Sequence, residues 1–216
     1  MLTLHHLEQS RSFRILWALE ELGADYQIKF YKRLPNFSGP PELKKVHPLG
    51  KAPILTDGEQ NIAESAVILE YLQESFDAAG QFVPQTAAER QQYRYWMHYA
   101  EASLMPLLVM YLVMSLVPKQ VPWLVKPIAK KISEGVQEQF VGKRLPDHIE
   151  YLETYLGEHD YFAGQFSFAD IQMSFPLIAL QERAGGEYPN IQAFVQRISS
   201  RPAFQRAKEK ERALNP

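Results

Sequence analysis

The stretch with the most chemical potential runs from Leu49 to Leu72 and reads LGKAPILTDGEQNIAESAVILEYL. Its useful groups lie on the backbone as much as on side chains. Pro53 forces Ala52 into an extended conformation, and a proline before a short edge strand can leave the Ala52 N–H and C=O free for a ligand. Glu64-Ser65 precedes Val67, Ile68, Tyr71 and Leu72, an apolar face at helical period. A helix N-terminus there offers unpaired N–H donors to a carboxylate, and Glu64 offers an acceptor to an ammonium. The backbone end of an amino acid carries both groups. The plainer account is a hairpin followed by a helix that Ser65 caps.

These groups need a fold to hold them, and the flanking sequence describes one. Leu2 to His6 alternates as a first strand, with Leu2 and Leu4 on one face. Ser10-Arg11-Ser12-Phe13-Arg14 leads into a helix whose apolar face is Ile15, Leu16, Leu19 and Leu22, stopped by Gly23. Tyr26 to Tyr31 alternates as a second strand, so the first unit is βαβ, with parallel pairing and a right-handed crossover. Pro35, Pro40 and Pro41 make residues 32–48 a loop with at most a short helix at Glu42–Val46. Ile54–Thr56 and Gln60–Ala63 read as a hairpin turning at Asp57-Gly58. The result is a βαβ–ββα domain over residues 1–77, followed by a linker at 78–86.

From residue 87 to 216 no strand pattern survives, which predicts an all-helical second domain. Thr86 and Glu89 form a capping box. Tyr93, Trp96, Met97 and Leu104 then share one face, an aromatic area that belongs in deep core or in an interface between copies. Leu104–Val117 is nearly all apolar and holds Pro106, yet its fourteen residues fall short of a membrane span. It reads as a buried or kinked core helix. The alternative is that its methionines and Tyr111 line an apolar pocket or interface, since methionine adapts to varied shapes. Pro118, Pro122 and Pro127 interrupt a segment with Trp123, Lys126, Lys130 and Lys131, a loosely packed cover. Ile132–Leu156 reads as one long helix. Ser167 and Asp170 form an S-x-x-D box stapled by Phe166 and Ile171, and helices at Ile191–Ile198 and Pro202–Arg212 complete the chain.

Composition narrows the classes of function. Hydrophobic residues at 46% and charged residues at 22% of 216 are ordinary for a soluble globular protein. A net charge of −2 provides no field for nucleic acid and no polybasic segment for a membrane. Met1 to Leu4 runs directly into a strand pattern, which argues against a secretory leader and for a cytoplasmic location. There is no cysteine, so disulfides, cysteine metal sites and a cysteine nucleophile are excluded. His5 and His6 are adjacent on a strand and point to opposite faces. With His47, His98, His148 and His159 scattered, no metal-ligand spacing emerges, and no metal is expected.

HPLGKAPIL followed by ESAVILEYL resembles the N-P-x-G-x-V-P…E-S-x-A-I pattern of cytosolic glutathione transferases, with His47 where asparagine is usual and Ala52 where valine is usual. The βαβ–ββα and helical halves both match, so the resemblance covers nearly the whole chain. It implies a thioredoxin-like first domain in which Pro53 is cis. It also implies that the Ala52 backbone pairs with the cysteinyl part of glutathione and that Glu64 and Ser65 hold its γ-glutamyl end. Lys51 would meet the glycyl carboxylate, and Lys32, Arg33 or Lys44 could replace the histidine that some members use there. The implied reaction is attack of the glutathione thiolate on an electrophilic carbon. No tyrosine lies between Met1 and Tyr26, so the hydroxyl that stabilises the thiolate would be Ser10 or Ser12. Ser10 stands before Arg14 as the activating serine does in theta-like, serine-type members, whereas Ser12 reads first as a helix cap.

The resemblance further implies a detoxification role, with glutathione as co-substrate, a hydrophobic electrophile and a homodimer formed across the domain boundary. Its electrophile pocket would draw on the loop after His6, on Met105–Tyr111 and on Trp123. A non-catalytic binding module and a glutathione-dependent peroxidase or isomerase are the alternatives.

Overall fold

Strand β1 (Leu2–Leu7) is the centre of the first domain, because its alternate side chains are buried on both faces of a four-stranded sheet. The computed structural model describes residues 1–183 and 186–214. The sheet order is β2-β1-β3-β4, with β2 at Tyr26–Tyr31, β3 at Ile54–Asp57 and β4 at Gln60–Ala63. β1 runs parallel to β2, pairing Leu7 with Tyr31, and antiparallel to β3, pairing His5 with Ile54. Helix α1 (Ser12–Leu22) makes the crossover and ends where Gly23 takes φ +60°, the left-handed stop that its position suggested. Helix α2 (Ser65–Phe76) follows β4. A single 3₁₀ turn at Pro41–Lys45 stands in the proline loop.

Two local readings need correction. The two-residue hairpin loop is Gly58-Glu59, since Asp57 pairs with Gln60; Gly58 is the residue that takes φ +57°. Ser65 does not cap α2. It is the first helical residue, Glu64 precedes it at φ 72°, and no side chain caps the helix. A non-glycine residue at such an angle is uncommon and marks a locally constrained backbone.

The helical domain begins with α3 (Ala87–Tyr99), opened by the complete Thr86–Glu89 capping box. A π-helical turn at Ala100–Leu104 carries it into α4 (Met105–Gln120). Pro106 follows the π-helical turn directly and removes one backbone donor from the helix there. The helix still runs unbroken from Ala87 to Gln120, 34 residues, and by length and composition alone could cross a bilayer. The expectation of a fourteen-residue apolar helix stopped short of both its ends. The predicted single helix over Ile132–Leu156 is instead α5 (Lys126–Val136) with a π-helical turn at Gln137–Val141, then α6 (Leu145–Glu158). Gly142 and Pro146 lie at the break. Helices α7 (Phe168–Arg183), α8 (Pro189–Ser199) and α9 (Pro202–Leu214) complete the bundle.

The aromatic face of α3 is core. Trp96 and Met97 are fully buried and Tyr93 nearly so, with Trp96 4.6 Å from the Phe162 ring centroid. That face is covered by the chain's own side chains. Asp170 reaches back to accept from the Ser167 N–H and also accepts from Phe162 N–H, which satisfies the start of α7. Burial pushes its carboxyl up to about 7 against those donors.

The two domains are stitched together through α1. Trp17 packs edge-on against Phe204 of α9 at 5.1 Å, and Phe13 does so at 5.2 Å. Arg201 forks onto Glu21, while Glu20 accepts from Arg206, Lys210 and Tyr26.

Candidate active site

Register brings the chemical residues to one end of the sheet. β1 delivers its chain to that end at Leu7, and the antiparallel strand β3 leaves from it after Ala52-Pro53. β4 returns to it at Ala63, opposite Ile54, so Glu64-Ser65 emerges there too. The Ala52–Pro53 peptide is cis. Among the described residues, no group donates to or accepts from the Ala52 backbone. Glu64 and Lys51 are exposed, whereas Ser65 is buried.

The loop from Glu8 to Arg11 closes the same end. Gln9 takes φ 47°, and Arg33 clamps the loop by donating to Glu8 O, Gln9 O and Phe37 O. With its guanidinium committed, Arg33 is a scaffold residue, which leaves Lys51 and the exposed Lys32 and Lys44 as free cations near this edge. Ser10 is 6% exposed, and its Oγ accepts from Ser12 N–H and lies 2.7 Å from Ser12 Oγ. Ser12 is thus not the cap foreseen: it is the first residue of α1, Arg11 holds the N-cap position without a side-chain bond, and Ser10 Oγ takes the Ser12 N–H. Ser12 itself is wholly buried, with its Oγ accepting from Leu7 N–H and contacting His6 Nδ1 at 2.9 Å.

Arg14 is the hub behind these groups. It is 1% exposed, donates to Ser65 Oγ and Gln172 O, and meets Glu101 Oε1 at 2.7 Å. Burial pushes its guanidinium down to about 10, with Glu101 pulling the other way. Glu101 also receives Arg11, at 2.9 and 3.0 Å to its two oxygens. Burial would raise the Glu101 carboxyl, but Arg14 and Arg11 hold it below the usual range. This carboxylate projects from the π-helical turn between α3 and α4, an irregularity that often serves a site. Sequence reading missed Glu101 and Arg11; a lone acid at the head of an apolar run was the available signal.

Beside Arg11 and Glu101 opens a groove of about 500 Å³ with Met105, Val109, Met110 and Met114 along its wall. Leu104, Met105, Leu107 and Leu108 are core as first read, whereas beyond Leu108 no side chain of this helix is fully buried and its methionines line the groove. Tyr111 lines a separate cavity of about 240 Å³ with Gln137 and Leu145. Trp123, expected at the pocket, is 79% exposed. His5 is a satisfied core histidine, bonded to Tyr31 Oη and Thr56 Oγ1 at 2.9 Å each.

The chain also matches known proteins. The family model described as Glutathione S-transferase, N-terminal domain, matches residues 1–74, and the C-terminal domain of the same description matches residues 119–211. The chain is 38% identical over 213 residues to Glutathione S-transferase 3 of Schizosaccharomyces pombe, covering 97% of this chain and 88% of that protein. It is 34% identical over 226 residues to Glutathione S-transferase 1 of Saccharomyces cerevisiae, covering 99% and 97%. Among solved structures, a glutathione S-transferase from Actinobacillus pleuropneumoniae superposes with a TM-score of 0.78 at 33% identity, covering 98% and 93%.

Proposed function

The chain belongs to the glutathione S-transferase family, and from that premise we propose that it conjugates the glutathione thiolate to an apolar electrophile. The observation that carries this reading is the convergence of the Ser10 loop, the Ala52 backbone before cis-Pro53, and Glu64-Ser65 at one sheet end, beside an apolar groove. The γ-glutamyl ammonium meets Glu64, and its carboxylate meets the free N–H groups at the start of α2. The cysteinyl part pairs with Ala52, and Lys51 meets the glycyl carboxylate. That places the sulfur at the head of α1, near Ser10, with the electrophile in the methionine-walled groove.

A free thiol has a pKa of roughly 8.5, so little thiolate exists at neutral pH. The Ser10 hydroxyl stabilises the anion by donating to it, and the positive end of α1 adds to the effect. Ser12 has no exposed surface, whereas Ser10 keeps 6% of its own. We take the protein to act in the cytoplasm as a homodimer, as its family does; sedimentation should give roughly twice the 24.9 kDa chain mass.

Ser10→Ala tests the core of this reading. A hydrogen bond to a charged acceptor is worth about 1.5–3 kcal/mol, so turnover at neutral pH should fall about tenfold to a hundredfold. The pH–rate profile should move alkaline while calorimetric affinity for glutathione changes little. An unmoved profile would remove Ser10 from the mechanism. A panel of electrophiles and hydroperoxides assayed in parallel separates conjugation from peroxidase chemistry and from mere binding.

A further inference from the structure

A line of polar groups leads inward from Ser10 and has no part in the reading above. Ser10 Oγ lies 2.7 Å from Ser12 Oγ, which lies 2.9 Å from Nδ1 of the wholly buried His6. On the far side of the ring, His6 Nε2 is 3.5 Å from Glu211 Oε1 of α9 and makes no hydrogen bond. The line starts at the candidate site and ends at a carboxylate that is 22% exposed. Four residues from β1, the α1 entry and the last helix meet here because Phe13 and Trp17 hold α9 against α1.

One arrangement of the protons gives the line a direction toward His6. Ser12 Oγ accepts from Leu7 N–H at 3.1 Å and has one proton of its own. Its possible acceptors are Ser10 Oγ at 2.7 Å, His6 Nδ1 at 2.9 Å and Leu7 O at 3.2 Å. With Ser12 donating to Nδ1, the ring proton sits on Nε2 and faces the Glu211 carboxylate, the tautomer that a nearby anion favours. Ser10 then donates to Ser12. This is the acid–histidine–hydroxyl order of a serine hydrolase, with a second hydroxyl inserted.

We propose that Ser12, His6 and Glu211 form a proton path that draws the glutathione proton away through Ser10 and holds it on His6. The proposal rests on Ser10 being the group that meets the sulfur. In the step, the S–H bond breaks and its proton passes to Ser10 Oγ. Ser10's own proton passes to Ser12 Oγ, and Ser12's passes to His6 Nδ1. Both hydroxyls end neutral, with Ser10 now donating to the thiolate. The imidazolium so formed keeps the proton, with the Glu211 carboxylate 3.5 Å from Nε2 as its counter-charge. None of the three touches glutathione, so all are positioning residues.

The groups facing His6 are Ser12 from α1, the Phe30 ring from β2 at 6.0 Å and Glu211 from α9. Lys208, on the same helix, pairs with Glu211 at 3.1 Å and competes for the carboxylate. Burial would raise the Glu211 carboxyl, but His6 and Lys208 hold it below its ordinary value, so it is ionised when the step occurs.

The test measures thiolate absorbance against pH in the glutathione complex of the full chain, for Glu211→Gln, His6→Gln and Ser10→Ala. Glu211→Gln should raise the bound thiol's pKa by about half a unit to one unit, a threefold to tenfold loss of thiolate at neutral pH. Glutathione affinity should stay within about twofold, and Glu211→Asp should recover part of the shift. His6→Gln should shift the thiol at least as far; if it does not fold by circular dichroism, Glu211→Gln decides alone. An unmoved thiol pKa in Glu211→Gln, even with a lower melting temperature, overturns the path. If Ser10→Ala alone shifts it, the path fails and the Ser10 reading stands. If Ser10→Ala also leaves it unmoved, both fail.

Discussion

The start of α1 and helix α4, against which α5 packs, meet at one groove and are built by opposite means. In α1 every residue from Ser12 to Glu20 is buried, charged ones included. Its polar groups are held by partners at fixed distances: Arg14 by Ser65, Gln172 and Glu101, and Glu20 by three donors. The α4–α5 pair is apolar and half covered. Val113 is 46% exposed, Leu124 just before α5 is 69% exposed, and Ile128 and Ile132 stand 63% and 61% exposed one turn apart on α5. Directional bonds specify one geometry, whereas an apolar wall of methionines specifies only an approximate shape. On the proposed function, the first suits a constant co-substrate and the second a varied electrophile.

Removing Arg14 should break that contrast most severely. Arg14→Ala deletes a buried cation that three groups rely on, and should cost about 3–5 kcal/mol in urea denaturation. A loss below about 1 kcal/mol would mean that α1 is not held by its polar network. Next in size is Glu64→Ala, which should weaken glutathione binding about tenfold, or about 1.4 kcal/mol, without changing helical content. Unchanged affinity in calorimetry would return Glu64 to a purely structural role.

Acid should act on the polar side of the comparison. Burial would raise the Glu20 and Glu101 carboxyls, yet their cationic partners hold both below the ordinary value. Their contribution to stability is therefore fully present above the unfolded carboxyl value of about 4.3, and is lost as pH falls through the lower folded values. Urea midpoints measured down the acid limb should fall less steeply in Glu20→Gln than in the native protein. An identical limb in both would show that the cluster on α1 does not set acid stability. The smallest effect belongs to the apolar side. Met114→Ala on the open groove should change stability by less than about 1 kcal/mol, while altering KM for a bulky apolar electrophile a few-fold. A stability loss of core size would show that α4 is packed after all.

Signals that act over a few residues were legible in the chain itself. The Gly23 stop, the Thr86–Glu89 box, the hairpin before α2 and the strand–helix–strand alternation each depend on neighbours in sequence, so propensity and period suffice to read them. The family pattern around Pro53 and Glu64-Ser65 is of the same kind, and its residues lie at one sheet end. What could not be read were choices made by distant partners. Ser65 had the composition of a cap, but Arg14 takes its oxygen. The aromatic stripe of α3 showed that a face is buried without showing against what, and Phe162 was the answer. The apolar run in α4 argued for core, yet its far half is only partly covered, by α5 and by Gln137 bonding to Tyr111 and Ser115. Arg14 with Glu101 and His6 with Glu211 pair across domains. Local sequence determines which backbone conformations are cheap, whereas the packing of whole elements decides which side chains meet, and only the second assembles the site.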